Sequence, residues 1–473
     1  MRDAPEISSL PDLRFDRIVQ REKGLNRGLS TGQISMIAIG GAIGTGLFLG
    51  SGFAMSFAGP SVLVSYGIGA LIALLLMGCL AEMTVEHPTS GSFGAYAEYY
   101  IGPLAGFLVR YAYWFAVVGA VGTEVTAVAV YMRFWYPNVP GWLWIVAFSV
   151  ALVSVNAVNV EVFGKVEYGF SLLKIVVIFL FILMGAAAVF LAPPGSEIGF
   201  HNYTSRGGFF PKGWWGMWVA VIVSIFSYLS IEMIAVAAGE ARDPQNAITS
   251  AFRVTVFRLI FFYLVTIALM LAIVPWNASG VEGSPFVKVM RATHVPGAAG
   301  IMNFVVLIAA LSAMNSQLYI TTRMMFSLSR AGYAPSSFGR LSARGVPVSA
   351  LLVSTIGIAL ATLLIVLYPE TSFTLMMSLA MFGALFTWLM IFVTHLFFRT
   401  KQTGKILQFR MWGYPYLSLL GAALMMAILL TTLLTSEFRM TTLFGAPFLL
   451  ILTGVFQVRH RKPASGQEGP ATI

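Results

Sequence analysis

Three ionisable side chains stand inside long apolar runs of this chain: Glu124 in "VGAVGTEVTAVAV", Lys174 in "FSLLKIVVIF" and Glu232 in "FSYLSIEMIAVAAGE". An ionisable group within a lipid-spanning helix costs about 2.5–3.5 kcal/mol on insertion scales, so it persists where a partner or a task offsets that cost. The helical neighbours of Glu124, namely Ala120, Ala127 and Val128, are small or modest. They leave room for a ligand or for close contact with another helix. Lys174 reads as a fixed cation or proton carrier in the membrane, or as a side chain snorkelling to the interface. Arg110 and Arg258 lie nearer the ends of their runs and are expected to snorkel.

Two of these runs are interrupted. "IAIGGAIGTGLFLG" (Ile37–Gly50) carries Gly40, Gly41, Gly44, Gly46 and Gly50, and "FSYLSIE" (Phe226–Glu232) places Ser227, Ser230 and Glu232 near the middle of its run. An unwound helix is tolerated at membrane depth only where its freed N–H and C=O groups line a cavity. A half-helix that begins at a break offers bare N–H groups and a positive dipole end, suited to a carboxylate. A half-helix that ends there offers carbonyls, suited to an ammonium. Together they match the two ends of a zwitterionic amino acid. Gly44, Thr45 and Gly46 supply approachable N–H groups and a hydroxyl. Small residues also let helices pack closely. Two interrupted runs at corresponding positions of two five-run halves point beyond packing, to a transporter built from inverted repeats.

The elements that must position these groups are apolar runs of bilayer length. They lie at 33–57, 61–84, 103–131, 141–160, 166–192, 214–238, 251–275, 298–326, 349–367, 372–398, 413–435 and 441–458. With 58% hydrophobic and 10% charged residues, the chain is expected to be an all-α polytopic membrane protein. The runs are continuously apolar rather than alternating, which excludes a β-barrel.

If the N-terminus is cytoplasmic, 20 of the 29 Lys and Arg residues fall in inner segments or at the inner ends of runs and six in outer ones, with Arg110, Lys174 and Arg258 inside runs. That bias places both termini in the cytoplasm and accounts for the net charge of +10 without nucleic acid. The first 30 residues are polar and lack the apolar core of a signal peptide. Residues 1–30 are therefore expected to be a disordered cytoplasmic tail, 31–460 the transmembrane domain and 461–473 a cytoplasmic C-tail. "HPTSGSFGAY" (His87–Tyr96) reads as an inner loop, and "GEARDPQNA" (Gly239–Ala247) ends a helix at an Asp–Pro break. Cys79 is the single cysteine, so no intramolecular disulfide or cysteine metal site is expected. The histidines at 87, 201, 294, 395 and 460 have no metal-ligand spacing, and no nucleophile–base pair suggests an enzyme.

The stretches "LSTGQISMIAIGGAIGTGLFLGSG", "HPTSGSFGAYAE", "FSYLSIEMIAVAAGEARDP" and "LSAMNSQLYITTRMMFSLSRAGYAPSSFGRLSARGVP" resemble the amino acid permeases of the amino acid–polyamine–organocation superfamily. The similarity is to the branch of bacterial aromatic amino acid, lysine and GABA permeases and covers roughly residues 25–460. The resemblance implies a LeuT-type fold of two inverted five-helix repeats followed by two further helices, with the first and sixth helices broken. It implies symport of an amino acid with H⁺ by alternating access, with the proton as coupling ion and no cofactor. It places the substrate carboxylate at Gly44, Thr45 and Gly46. It places the ammonium at carbonyls near Ala42 and Ile43, and at those of Phe226, Ser227 and Tyr228. Lys174 matches a fifth-helix lysine that occupies a sodium-site position in proton-coupled relatives. Glu124 matches a third-helix acidic position linked to substrate or proton handling. The chain departs from many members of the branch at Ser230, and from some at Leu229, where they carry glycine.

The leading expectation is a cell-membrane symporter importing L-amino acids. An ion-independent exchanger is the alternative. A non-transporting sensor fits poorly with such short tails. Phe226, Tyr228 and Leu229 lean toward a neutral, bulky or aromatic side chain, while Glu124 leaves open a cationic one. The expected partners are the amino acid and the bilayer, with no nucleic acid and no obligatory protein partner.

Overall fold

The computed structural model describes residues 13–21, 29–158, 160–193, 195–241, 244–278, 283–403 and 407–461. Among them there is no strand, only a one-residue parallel bridge between Leu29 and Ala241. The helices are α1 (Leu13–Arg21), α2 (Thr31–Ala42), α3 (Thr45–Phe48), α4 (Gly50–Ala58), α5 (Val62–Glu86), α6 (Ser92–Tyr100), α7 (Pro103–Met132), α8 (Gly141–Val158), α9 (Val160–Phe190) and α10 (Gly213–Tyr228). They continue with α11 (Met233–Ala237), α12 (Pro244–Ile273), α13 (Pro285–Ala292), α14 (Ala298–Arg330), α15 (Val348–Ser354), α16 (Ile356–Leu367), α17 (Ser372–Lys401), α18 (Tyr416–Leu434) and α19 (Arg439–Arg461).

Among the described residues, eleven stretches are long and apolar enough to cross a bilayer. The expected span at 251–275 falls in the 30-residue α12, whose apolar stretch Leu259–Ile273 is shorter than the others. The protein is thus all-α and polytopic. Within the most apolar 18-residue windows of Gly213–Glu240 and Pro103–Met132, 94% and 89% are buried, against 17% for that of Arg439–Arg459. The broken sixth span and α7 therefore form the centre, and α19 presents Leu450, Ile451 and Val458 to lipid.

α9 shows how a lipid-facing helix meets this centre. Its buried residues Gly164, Glu167, Ser171, Lys174, Ile178, Phe181 and Gly185 recur every three or four positions, while Leu172, Val176, Phe179 and Leu183 between them are exposed. That is one narrow protein-facing stripe on an otherwise apolar surface.

Three expectations need correction. Within the segment 1–30, Leu13–Arg21 form a helix rather than a disordered tail, because Phe15 and Ile18 share a face and are buried against the end of the bundle. Phe15 packs on His87, Tyr96 and Tyr99. The inner loop at 87–96 is only partly a loop: from Ser92 it becomes α6, whose Phe93, Tyr96 and Tyr100 are buried. Arg110 does not snorkel. It is fully buried and donates to Glu98 (2.8 Å) and to Ser327 Oγ (3.0 Å). A guanidinium three carbons from the backbone stays inside when a carboxylate is already there to meet it. The Arg258 side chain and residues 462–473 lie outside the described residues. The end carrying α1 and α6 is called the α6 end below.

Candidate functional site

The first break is tighter than the glycine run suggests. Gly40 and Gly41 remain helical in α2, and the helix opens only at Ile43 and Gly44 before restarting at Thr45. The glycines are needed for approach. A Cβ on Gly46 would lie 2.7 Å from Ser227 Cα, and one on Gly44 would lie 2.6 Å from Glu124 Oε1. The first break thus rests directly on the second break and on α7.

The second break runs from Leu229 to Glu232, between α10 and α11. Ser230 adopts a left-handed φ of +76°, the conformation that glycine accepts without strain. Glu232 stabilises this turn from within. It accepts from the Ser230 N–H (3.1 Å), the Tyr113 hydroxyl (2.7 Å) and Trp388 Nε1 (3.2 Å). Its task here is to tie the break to α7 and α17.

The freed backbone groups of both breaks converge, and each meets a protein group. The Thr45 N–H donates to the two Glu124 oxygens at 3.2 and 3.4 Å. Gln317 Nε2, on α14, approaches the same carboxylate at 3.5 Å. Lys174 Nζ donates to Gly40 O (2.6 Å) and Ile43 O (2.8 Å), which closes the open end of α2. The Tyr263 hydroxyl lies 2.8 Å from both Ala42 O and Ser227 O, so it bridges the carbonyls of the two breaks. Ser227 Oγ donates to Gly46 O (2.7 Å) and receives the Tyr66 hydroxyl (2.8 Å). Tyr228 stacks beside Tyr263 at 4.9 Å, and Phe226 O lies against Gly46.

The structure therefore brings together every residue singled out from the sequence: Ala42, Ile43, Gly44, Thr45, Gly46, Glu124, Lys174, Phe226, Ser227, Tyr228 and Ser230. All are buried. Lys174 reaches inward to carbonyls rather than outward to the interface. Some buried polar atoms around Glu124 have no hydrogen-bond partner among the described residues: Thr45 Oγ1, Gln317 Oε1 and the Tyr131 hydroxyl. Buried polar groups are seldom left so, and unpaired acceptors beside a carboxylate suit a ligand that brings N–H donors. Among the described residues no cluster of His, Cys, Asp or Glu could hold a metal ion.

Sequence reasoning missed Tyr66, Tyr263, Gln317 and Glu167. The tyrosines and Gln317 sit in runs whose partners are set by packing alone. Glu167 had a signal: it lies seven residues before Lys174, hence on the same helical face, but a span starting at 166 put it at the membrane edge.

The chain matches the amino acid permease family over residues 33–458. It is 39% identical over 445 residues to the gamma-aminobutyric acid permease of Bacillus subtilis, covering 93% of this chain and 94% of that protein. It is 38% identical over 435 residues to the aromatic amino acid transport protein AroP of Salmonella typhimurium, covering 92% and 95%. The amino acid permease YtnA of Bacillus subtilis is 37% identical over 453 residues, covering 94% and 98%.

Proposed function

This chain belongs to the amino acid permease family, a family of multi-pass membrane transporters rather than enzymes, and on that premise we propose that it imports a neutral, bulky L-amino acid by proton symport. The two breaks form the binding site, and both termini are cytoplasmic. Glu124 and Lys174 are the groups that handle the proton.

One observation carries this reading: the Thr45 N–H, at the start of α3, is held by the Glu124 carboxylate. A substrate carboxylate needs the same N–H, and two carboxylates cannot share it without strong repulsion. Protonating Glu124 removes the repulsion and frees the N–H, so proton and amino acid bind together. The substrate ammonium then finds Gln317 Oε1, Thr45 Oγ1 and the carbonyls bridged by Tyr263. Phe226 and Tyr228 supply apolar and aromatic surface for the side chain. The first and sixth spans, broken where their ends meet, support a LeuT-type inverted repeat with alternating access. The aromatic amino acids named for one relative agree with a bulky side chain, whereas the gamma-aminobutyric acid named for another carries none.

The energetics suffice. One charge moving inward across 100 mV gains about 2.3 kcal/mol, which sustains roughly a fiftyfold gradient. The test is uptake of labelled amino acids into proteoliposomes under an imposed pH gradient and potential. Uptake is expected to follow both and to ignore Na⁺; uptake driven by Na⁺ alone would overturn the reading. Glu124→Gln should retain exchange of preloaded substrate yet lose about 10²-fold in proton-driven accumulation. Lys174→Ala should lose accumulation as well, because Gly40 O and Ile43 O are left unpaired. Wild-type accumulation in either variant removes that residue from the mechanism.

A further inference from the structure

Glu167 is a fully buried carboxylate to which the symport reading assigns no task. It accepts from Ser312 Oγ (2.5 Å) and Asn315 Nδ2 (2.8 Å), Ser171 Oγ lies beside it at 3.2 Å with its proton on Met36 O, and Asn156 Nδ2 holds Asn315 in place at 2.8 Å. All of these donors are neutral. Taking a carboxylate out of water costs several kcal/mol, and neutral donors are an expensive way merely to join helices.

Its position is specific. Along the stripe of α9, Gly164 lies against Leu29 and Gln33, Ser171 Oγ donates to Met36 O (2.8 Å), and Lys174 holds Gly40 O and Ile43 O. Glu167 is seated on Gly40 itself, where any side chain would collide with its Oε1. Glu167 and Lys174 thus flank one residue of α2. Seven residues along one helix is about 10.5 Å of rise. Helical side chains lean toward the N-terminus, so Lys174 leans toward Glu167. Gly164 meets the start of α2, so Glu167 lies between Lys174 and the α6 end.

We propose that Glu167 is the proton acceptor for Lys174 when α2 withdraws from α9, and so the relay from the site to the α6 end. This rests on the symport reading above. Withdrawal of α2 takes both carbonyls from Lys174 and uncovers Glu167 in the same movement. An N–H bond of the ammonium breaks and an O–H bond of the Glu167 carboxyl forms, so an ion pair becomes two neutral groups. Release from Glu167 into water at the α6 end completes the transfer. Among the described residues, Lys174 is the charged group facing Glu167, and Glu167 and Glu124 are those facing Lys174. The other elements packed on Glu167 present Gly40 from α2, Asn156 from α8, and Ser312 and Asn315 from α14; α12 brings Tyr263 to the carbonyl end of α2.

The test compares wild type, Glu167→Gln, Glu167→Asp, Ser312→Ala, Lys174→Ala and the Glu167→Gln/Lys174→Ala double variant in proteoliposomes. Accumulation driven by a pH gradient and counterflow of preloaded substrate are read across a pH series. Glu167→Gln is expected to lower accumulation about tenfold or more and flatten its pH profile, with counterflow nearly unchanged. Glu167→Asp should restore part of the pH dependence, and Ser312→Ala, which removes a donor to the charged carboxylate, should keep accumulation and move its pH profile upward. The double variant should accumulate no less than Lys174→Ala, because the two groups act as one unit. Wild-type accumulation by Glu167→Gln overturns the relay. So does an equal loss of counterflow and accumulation, which would mean that Glu167 only seats α2. A wild type indifferent to the pH gradient defeats the symport reading itself, and the relay with it.

Discussion

Ser230 is one of three described non-glycine residues with a left-handed φ, and the one that stands at a helix break. A left-handed φ costs a non-glycine residue of order 1–2 kcal/mol, and a β-branched residue more. The cost is met locally: Glu232 accepts the Ser230 N–H and is itself held by Tyr113 and Trp388. Ser230→Gly is expected to keep the fold and raise thermal stability slightly, since relief of strain outweighs the added freedom of the unfolded chain. Ser230→Val should destabilise by about 1–3 kcal/mol. Thermal unfolding in detergent reads the order Gly, Ser, Val; a valine variant as stable as wild type would remove strain from the account. From sequence, Ser230 is a departure from relatives that carry glycine there. The structure shows a break that takes the glycine conformation regardless, because the surrounding bonds impose it.

At the scale of elements, α1, α6 and α7 are joined through one carboxylate. Glu98 on α6 meets Arg110 from α7 and Arg21 from α1. Burial works to raise its pKa, but the two guanidiniums prevail and hold it below the ordinary carboxylate value. A carboxylate with a depressed folded pKa contributes stability that is fully present above the unfolded value and is lost as pH falls through the folded one. Docking of α1 should therefore persist at pH 5 and loosen only below about pH 4. Hydrogen exchange of the α1 amides across pH checks this. Glu98→Gln should expose them at neutral pH and cost about 3 kcal/mol, because Arg110 is left buried without its charge partner. Unchanged protection in Glu98→Gln would show that Phe15 and Ile18 alone hold α1. Little of this was legible beforehand. A short helix with two buried apolar residues reads as a polar tail until its docking surface is known.

For the whole molecule, the α6 end is closed by contacts between distant parts of the chain. The buried pair Arg323–Glu240 (2.8 Å) joins α14 to the segment after α11; the Tyr319 hydroxyl donates to the same carboxylate (2.7 Å), and the Leu29 N–H donates to Glu240 O. In a Cys79→Ser chain carrying a cysteine at Ser230, Glu240→Gln is expected to speed labelling by a membrane-impermeant maleimide applied from the α6 end. An unchanged rate would mean that this pair does not close the route. The sequence by itself determined the polytopic all-α class, the two interrupted spans and the buried ionisable Glu124 and Lys174. Each follows from local physics, since run length sets a span, a cluster of small or polar residues sets a break, and a charge in lipid marks itself. Only the tertiary structure decided which group meets which: Glu124 on the Thr45 N–H, Tyr263 across both breaks, Lys174 and Glu167 about Gly40, and Arg110 turned inward to Glu98. Those pairings join residues far apart in the chain, and a buried polar group takes as its partner whichever donor or acceptor packing brings within about 3 Å.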